Sequence, residues 1–162
     1  MVPEHYINLS CVLELAGRPD EALAALRHGE QLGFAGPLAA DIRARAALLK
    51  GDAREAARLC AGEGDWYLTV CLAMADHMLG DQTTADAKLA KLRAMLGDSG
   101  AYQYARIYAA WGRPEDALSW LETAYRLRDD GMLDLEVDPV FGAIRDRARF
   151  KAIEGELGMK AI

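Results

Sequence analysis

The same seven-residue phrase occurs twice in this chain. It reads GRPDEAL at residues 17–23 and GRPEDAL at residues 112–118, 95 positions further along. In each copy, the glycine lets a first helix end in the left-handed backbone conformation that a side chain would penalise. The proline then lies where a second helix begins, because a missing N–H costs nothing at that position. The phrase therefore predicts a tight turn between two antiparallel helices.

Four glycines predict that this turn is used four times. Gly17, Gly51, Gly80 and Gly112 lie 34, 29 and 32 residues apart. Each is followed five residues later by an alanine and preceded seven residues earlier by a small residue. The alanines are Ala22, Ala56, Ala85 and Ala117, and the small residues are Ser10, Ala44, Ala73 and Ala105. Because small residues let two helix backbones approach closely, these positions are expected to face each other.

This pattern resembles the tetratricopeptide repeat, whose units have a small residue, a glycine, an alanine and an apolar residue at such spacing. The resemblance covers residues 4–130. It implies an all-α fold, a right-handed superhelical solenoid of antiparallel helix pairs, with residues 1–162 as a single domain. The expected units are residues 4–36, 37–64, 65–98 and 99–131, followed by capping helices at 132–162.

The C-terminal part does not repeat the pattern and is expected to cap it. Repeat arrays need a terminal cover for their last apolar face, and Phe141 and Phe150 are the expected plugs. Apolar spacing predicts short helices around residues 140–144 and 150–157. The run DPVFGAIRDRARF also resembles segments that close tetratricopeptide regions of bacterial regulators, which implies a bacterial signalling context.

Composition favours an interaction protein of the cytoplasm. The net charge of −6 argues against nucleic-acid binding, and the apolar run at residues 66–75 is half of what a bilayer span needs. No signal peptide is visible at the N-terminus. The three cysteines, Cys11, Cys60 and Cys71, lie in apolar helical patterns. They are therefore interpreted as small buried hydrophobes rather than as a disulfide framework, which favours a reducing cytoplasm.

Apparent chemical motifs are interpreted as structural. GDSG at residues 97–100 matches a protease nucleophile string, but it lies between helices, where Asp98 or Ser99 is expected to act as an N-cap. The acidic stretch at residues 129–138 lacks calcium-loop spacing and is interpreted as a solvated loop. The basic residues at 145–151 are interpreted as a solvated face. The scattered histidines lack metal-ligand spacing, so neither a metal nor a cofactor is expected.

The resemblance implies that the first helix of each unit lines a concave groove. The residues nearest that groove should lie ten, nine, six and three positions before each glycine. The candidate partner-binding residues on this basis are Asn8, Arg45, Met74, His77, Tyr102, Gln103 and Arg106. The last three combine an aromatic ring, a two-way hydrogen bonder and a guanidinium, which are types favoured at contact centres.

The sequence therefore predicts a non-enzymatic module that binds a peptide or protein surface in this groove. One alternative is a regulatory or scaffolding segment of a larger bacterial signalling protein, in which a terminal helix self-associates and forms a homodimer. A second alternative is a small enzyme, which would need a deep pocket with two perturbed titratable groups. No acid–base pair at groove positions is obvious in the sequence.

Overall fold

The computed structural model describes residues 2–35, 37–61 and 65–158. Within these ranges the regular secondary structure is helical throughout, without a strand. The α-helices are α1 (Pro3–Leu15), α2 (Pro19–Gln31), α3 (Pro37–Leu49), α4 (Ala53–Leu59), α5 (Trp66–Met78), α6 (Gln82–Leu96), α7 (Ala101–Ala110), α8 (Pro114–Leu127) and α9 (Ala148–Glu156). Short 3₁₀ turns lie at Gly97–Gly100, Asp130–Asp134 and Pro139–Phe141. The all-α class of paired helices is confirmed; the end of the predicted cap, 159–162, lies outside the described residues.

The chain divides into two compact units, Met1–Lys88 and Leu89–Ile162, with the boundary inside α6. Unit 1 contains the helix pairs α1–α2 and α3–α4, together with α5 and the start of α6. Unit 2 contains the pair α7–α8 and the cap that follows it.

Each repeated turn has the predicted backbone. The four glycines have φ values of 68°, 78°, 85° and 66°, which confirms the left-handed conformation at every turn. Pro19 and Pro114 lie at the starts of α2 and α8, as predicted. Asp52 accepts a hydrogen bond from the N–H of Glu55 at 3.1 Å and so caps α4. Asp81 likewise accepts a hydrogen bond from a backbone N–H and caps α6.

The two copies of the seven-residue phrase also form equivalent ion pairs. Arg18 Nε donates to Glu21 at 2.6 Å, and Arg113 Nε donates to Asp116 at 2.9 Å, across the same three-residue spacing. These pairs are solvent-exposed, so they add little stability. Their main effect is to hold the acidic side chain over the first turn of the second helix. The swapped order of Asp and Glu between the copies therefore leaves the local pairing intact.

The small-residue columns lie at the helix contacts, as predicted. All four alanines after the glycines and all four small residues before them are fully buried, each with 0 % exposure. Ser10 fits among alanines because its hydroxyl donates to the backbone carbonyl of Ala22 at 2.7 Å. A hydroxyl buried without such a partner would destabilise the pair.

The structure corrects the interpretation of two cysteines. Cys60 and Cys71 are buried as expected, but they form a disulfide, with their Cα atoms 6.4 Å apart. Cys60 directly follows α4 and Cys71 lies in α5, so the bond ties these two helices together within one apolar cluster. The sequence spacing did not indicate this disulfide, because the two cysteines belong to different helices and the connection between those helices lies between them. The argument for a reducing compartment loses its support, while Cys11 remains a free thiol.

Two expectations about unit 2 are also wrong. Neither Asp98 nor Ser99 caps α7: the Ser99 hydroxyl donates to the carbonyl of Leu96, and a distant carboxylate, Asp129, accepts from the N–H of Tyr102 at 3.1 Å. Residues 139–146 form a 3₁₀ turn followed by further turns instead of a short α-helix. At the start of this segment, the aspartate before Pro139 accepts from the N–H of Val140 and closes a tight turn.

The cap of unit 2 has an aromatic core with a charged edge. Phe141 and Phe150 are fully buried, and their ring centroids are 6.0 Å apart, in agreement with the plugs expected from the sequence. At the edge, Arg149 of α9 donates to Glu122 at 2.8 Å and to Glu115 at 2.8 Å, both on α8. The basic residues at 145–151 are partly solvent-exposed, as expected, and Arg149 is in addition paired with acids of α8.

Candidate functional site

The predicted groove positions lie on the first helix of each pair, and we call the side of each such helix that carries them its first-helix face. In unit 1 this face belongs to α1, α3 and α5. Asn8 is exposed, whereas Arg45 and His77 are half-buried. Met74 is only 5 % exposed, so its side chain offers a partner almost no surface in this conformation. The accessible part of the face in unit 1 is therefore polar.

Arg45 is the centre of a charged cluster on this face. Its Nη2 lies 2.9 Å from a carboxylate oxygen of Glu14, and its Nε lies 3.3 Å from Asp41. Both acids are buried, with 4 % and 7 % exposure. Burial alone would lower the pKa of Arg45, but the charges of Asp41 and Glu14 hold its pKa above the ordinary value. The cluster ties α1 to α3 and leaves only the outer part of the guanidinium accessible.

Cys11 borders this cluster, and His77 is the remaining candidate residue of unit 1. The Sγ of Cys11 lies 3.9 Å from Arg45 Nη2, and burial raises the pKa of this thiol, which keeps it protonated and weakly nucleophilic. His77 lies near the end of α5, where its Nδ1 is 2.6 Å from Gln82 Oε1. Gln82 in turn donates to Asp86 at 2.9 Å. The side chains of Cys11, His77 and Gln82 therefore each contact a neighbouring polar group of the protein.

In unit 2 the three candidate residues of α7 contact the segment that follows α8. Tyr102 is 2 % exposed, and its hydroxyl donates to Asp138 at 3.2 Å. Burial, with the nearby Asp138 carboxylate, raises the pKa of Tyr102 far above its ordinary value, so the phenol stays protonated. Its ring packs edge-on against Phe141, with centroids 5.6 Å apart. Tyr102 thus holds the cap against α7.

Gln103 and Arg106 remain half-buried on the same helix. Arg106 Nε lies 2.9 Å from Asp138, and its Nη1 donates to the side-chain oxygen of Gln103 at 3.1 Å. The Arg106 side chain is 19 % exposed, while that of Asp138 is 4 % exposed. The accessible groups on this side of α7 are therefore the Gln103 amide and the outer edge of the Arg106 guanidinium. Asp138 neutralises the inner edge of that guanidinium.

Sequence reasoning missed the carboxylates that hold these arginines. Asp138 was assigned to a solvated loop, but it is 3 % exposed and contacts both Tyr102 and Arg106. Its position before Pro139 was the available signal, since an aspartate there commonly closes a turn with its side chain. Glu14 and Asp41 occupy groove positions three and ten residues before Gly17 and Gly51, and their pairing with Arg45 is a finding of the structure.

Two clefts of the described surface are lined by residues other than the candidate partner-binding residues. One cleft of about 620 Å³ lies between α8 and α9 and is lined by residues such as Ser119, Glu122 and Arg149. A smaller one of about 180 Å³ lies among α2, α3 and α4. In the described part of the chain, no group of three histidine, cysteine, aspartate or glutamate side chains is placed to hold a metal ion. Among the described helices, none combines the length and apolar character required to cross a bilayer.

Comparison with known families agrees with the repeated geometry. Residues 3–28 and 99–123 match the family model described as tetratricopeptide repeat. The first match covers α1 and most of α2, and the second covers α7 and most of α8, so each contains one copy of the repeated phrase. No curated protein and no solved structure matches the chain. The two matches together cover 51 of the 162 residues, so they show tetratricopeptide-like repeats in these two stretches, one in each unit.

Proposed function

We propose that this chain is a non-enzymatic module that binds a peptide or protein surface through the first-helix face. Tetratricopeptide repeats generally mediate protein–protein interactions, and both units contain a matched repeat. The observation that carries the proposal is the shared helical phase of Asn8 on α1 and Gln103 on α7, which are accessible amides at equivalent positions of the two matched repeats. An amide side chain both donates and accepts, so it suits the backbone of a bound peptide.

The two arginines contribute oriented N–H donors rather than an unneutralised positive charge. Arg45 and Arg106 each have an inner edge paired with a buried carboxylate, so their outer N–H groups are held in place. A donor that is already oriented loses less side-chain entropy on binding than a mobile one. Met74 and Tyr102 support the face from beneath because their side chains are buried. The proposed contacts are therefore hydrogen bonds from Asn8, Gln103 and the outer guanidinium edges.

The test is affinity capture from the source organism's lysate with the wild-type chain and two matched variants. Asn8→Arg places a long cation on the first-helix face, whereas Gln31→Arg places the same side chain at an exposed position of α2. We expect the wild type and Gln31→Arg to retain the same protein, and Asn8→Arg to lose it. Retention by Asn8→Arg equal to that of the wild type, with all three chains folded by circular dichroism, would remove this assignment.

The second candidate is a regulatory or scaffolding segment of a larger bacterial signalling protein that self-associates. Exposed apolar residues on the terminal helix α1 favour it: Leu9 is 46 % exposed and Val12 is 61 % exposed. Light scattering of the isolated chain separates the candidates, because a stable dimer favours this second one.

A further inference from the structure

Helix α4 is short for the second helix of a pair. It has 7 residues, whereas α2, the second helix of the preceding pair, has 13. Seven residues make only about two helical turns, and a helix of that length is marginal in water without contacts to other elements. The position of α4 therefore depends on what it packs against.

The apolar cluster shared by α3, α4 and α5 consists mostly of small side chains. Its buried members are Ala44, Ala47, Ala56, Cys60, Leu68, Cys71 and Ala75. Larger side chains such as Leu59 and Tyr67 are only partly buried against it. Because hydrophobic stabilisation scales with buried apolar area, the four alanines contribute little of it. The disulfide between the two cysteines is a link from α4 to α5 that does not depend on this small area.

We infer that this disulfide is a redox switch, which fixes α4 against α5 when oxidised and releases the end of α4 when reduced. Cys60 and Cys71 are 11 positions apart, so the bond closes a short loop. A short loop removes less entropy from the unfolded chain than a long one, so it protects the bond less against reduction. Cys60 lies between the last residue of α4 and the exposed Ala61, so fraying of this helix end brings its sulfur to solvent.

The reductant that suits this bond is a dithiol. One thiolate of the dithiol attacks a sulfur of the disulfide, the S–S bond breaks, and the other cysteine sulfur leaves as a thiolate that takes up a proton. The second thiol of the dithiol then attacks the mixed disulfide and releases the second cysteine as a thiol. Two electrons and two protons thus pass to the protein, and the dithiol becomes a disulfide.

The surroundings of the bond suit a reversible reaction. The carbonyl oxygen of Ala56 lies 3.7 Å from Cys71 Sγ, so it can accept a weak hydrogen bond from the thiol that reduction creates. The remaining thiol, Cys11, packs against a separate buried cluster of α1, α2 and α3. Burial raises the pKa of Cys11, which makes it a poor nucleophile toward the disulfide. Oxidation should therefore re-form the same bond.

The switch acts on the first-helix face through α5. This helix carries Met74 and His77, so release of α4 removes a support of that part of the face. An effect on partner binding rests on the proposed function, whereas the release of α4 does not. The release is therefore measured on the chain without a partner, so that its outcome is separate from that of partner capture.

The experiment is hydrogen exchange of the intact, air-oxidised chain before and after treatment with dithiothreitol. A thiol count follows the reduction, from one thiol to three. The N–H of Cys60 donates to the carbonyl of Ala56 at 2.9 Å, so its exchange reports the release of the end of α4 directly. Reduction should speed exchange in α4 at least ~10-fold, and renewed oxidation should reverse this change. Amides of α7 and α8 in unit 2 should exchange as before.

Two variants serve as controls for the wild-type measurement. Cys11→Ser changes the free thiol and should respond to dithiothreitol like the wild type. Cys60→Ala/Cys71→Ala cannot form the bond, so its α4 should exchange fast with and without dithiothreitol. If this double variant proves unfolded by circular dichroism, the wild-type comparison decides alone, because it needs no substitution.

Four results would overturn the inference. The air-oxidised chain could already contain three thiols, or the folded chain could keep a single thiol in dithiothreitol. The reduced chain could exchange in α4 as slowly as the oxidised chain. Finally, α7 and α8 could accelerate as much as α4, which would show general destabilisation rather than release of one helix end.

Discussion

At the scale of single residues, Asp138 joins three parts of unit 2. One carboxylate oxygen accepts from the N–H of Val140 at 3.0 Å and closes the turn at Pro139. The other accepts from the Tyr102 hydroxyl and lies 2.9 Å from Arg106 Nε. A buried charge is tolerated only when it is paired and hydrogen-bonded, and these contacts satisfy both conditions. The residue that sequence analysis placed in solvent therefore organises the face of α7.

Gly131 is required for the same arrangement. A Cβ built on it would lie 2.3 Å from the Tyr102 ring, far inside normal contact. Gly131→Ala is therefore expected to lower the free energy of unfolding by roughly 1–3 kcal/mol through overpacking. The control is Gly155→Ala in α9, where a Cβ meets nothing within 4 Å and the helical preference of alanine should add about 0.5–1 kcal/mol. Urea denaturation of both variants measures the difference, and a Gly131→Ala variant as stable as the wild type would contradict the packing of Tyr102.

Asp76 near the end of α5 carries a charge in an unfavourable place. Burial raises its pKa, with Lys88 opposing the shift, and the C-terminal end of a helix disfavours a negative charge. Asp76→Asn should therefore stabilise the fold at pH 7, by about 0.5 kcal/mol. A raised folded-state pKa means that the penalty exists only while the group is ionised. The gain should therefore disappear as the pH falls through the folded-state pKa and the wild-type carboxyl becomes protonated.

Thermal denaturation at neutral and acidic pH measures this effect. Asp146→Asn is the control, because that side chain is fully exposed and its removal should change the melting temperature little. An Asp76→Asn variant that melts below the wild type at pH 7 would show that its carboxylate is stabilising.

At the scale of the helical element, the repeated turn brings one buried alanine of each second helix against a first helix. Ala117→Leu adds three carbon atoms at a site with 0 % exposure and should cost roughly 1–3 kcal/mol. Ala94→Leu adds the same atoms at an exposed site of α6 and should be nearly neutral. Urea denaturation compares the two variants. Equal stability of both would count against the assigned pairing of α7 and α8.

The disulfide belongs to the same scale because it ties the end of α4 to α5. A thiol count on the unreduced, denatured chain should give one thiol, from Cys11, and three after reduction. Because the bond restricts the unfolded chain, its reduction should lower the free energy of unfolding by about 2–3 kcal/mol. A Cys60→Ala/Cys71→Ala double variant should not respond to the reductant at all. Three thiols before reduction would exclude the bond.

Sequence periodicity predicted the helix pairs well because their determinants are local. Each turn requires a glycine for its left-handed backbone, as at Gly17 and Gly112. Each close helix contact requires a small residue, as at Ala22 and Ala117. These residue types therefore recur in the sequence at a fixed spacing. The turns after α8 were not predicted because they depend on distant partners. Asp129, for example, caps a helix that begins 28 residues earlier in the chain.

At the scale of the whole molecule, the candidate site was predicted in position but not in chemistry. The repeat phase placed Asn8, Arg45, Gln103 and Arg106 on the first helices, where the structure has them. Asp41 lies one helical turn before Arg45, so that ion pair follows a spacing rule, but Glu14 and Asp138 reach their arginines from other segments, and such pairs leave no spacing rule. Binding of a partner at these residues stays a prediction.

Hydrogen exchange of the chain, alone and with its captured partner, tests this central claim most directly. Amides of the first helices α1, α3, α5 and α7 should exchange more slowly in the complex, because the partner covers exposed side chains of these helices, such as Asn8 on α1 and Gln103 on α7. The second helices α2, α4 and α8 should exchange at the same rate with and without the partner. Protection confined to those second helices, with the first helices unchanged, would contradict the account.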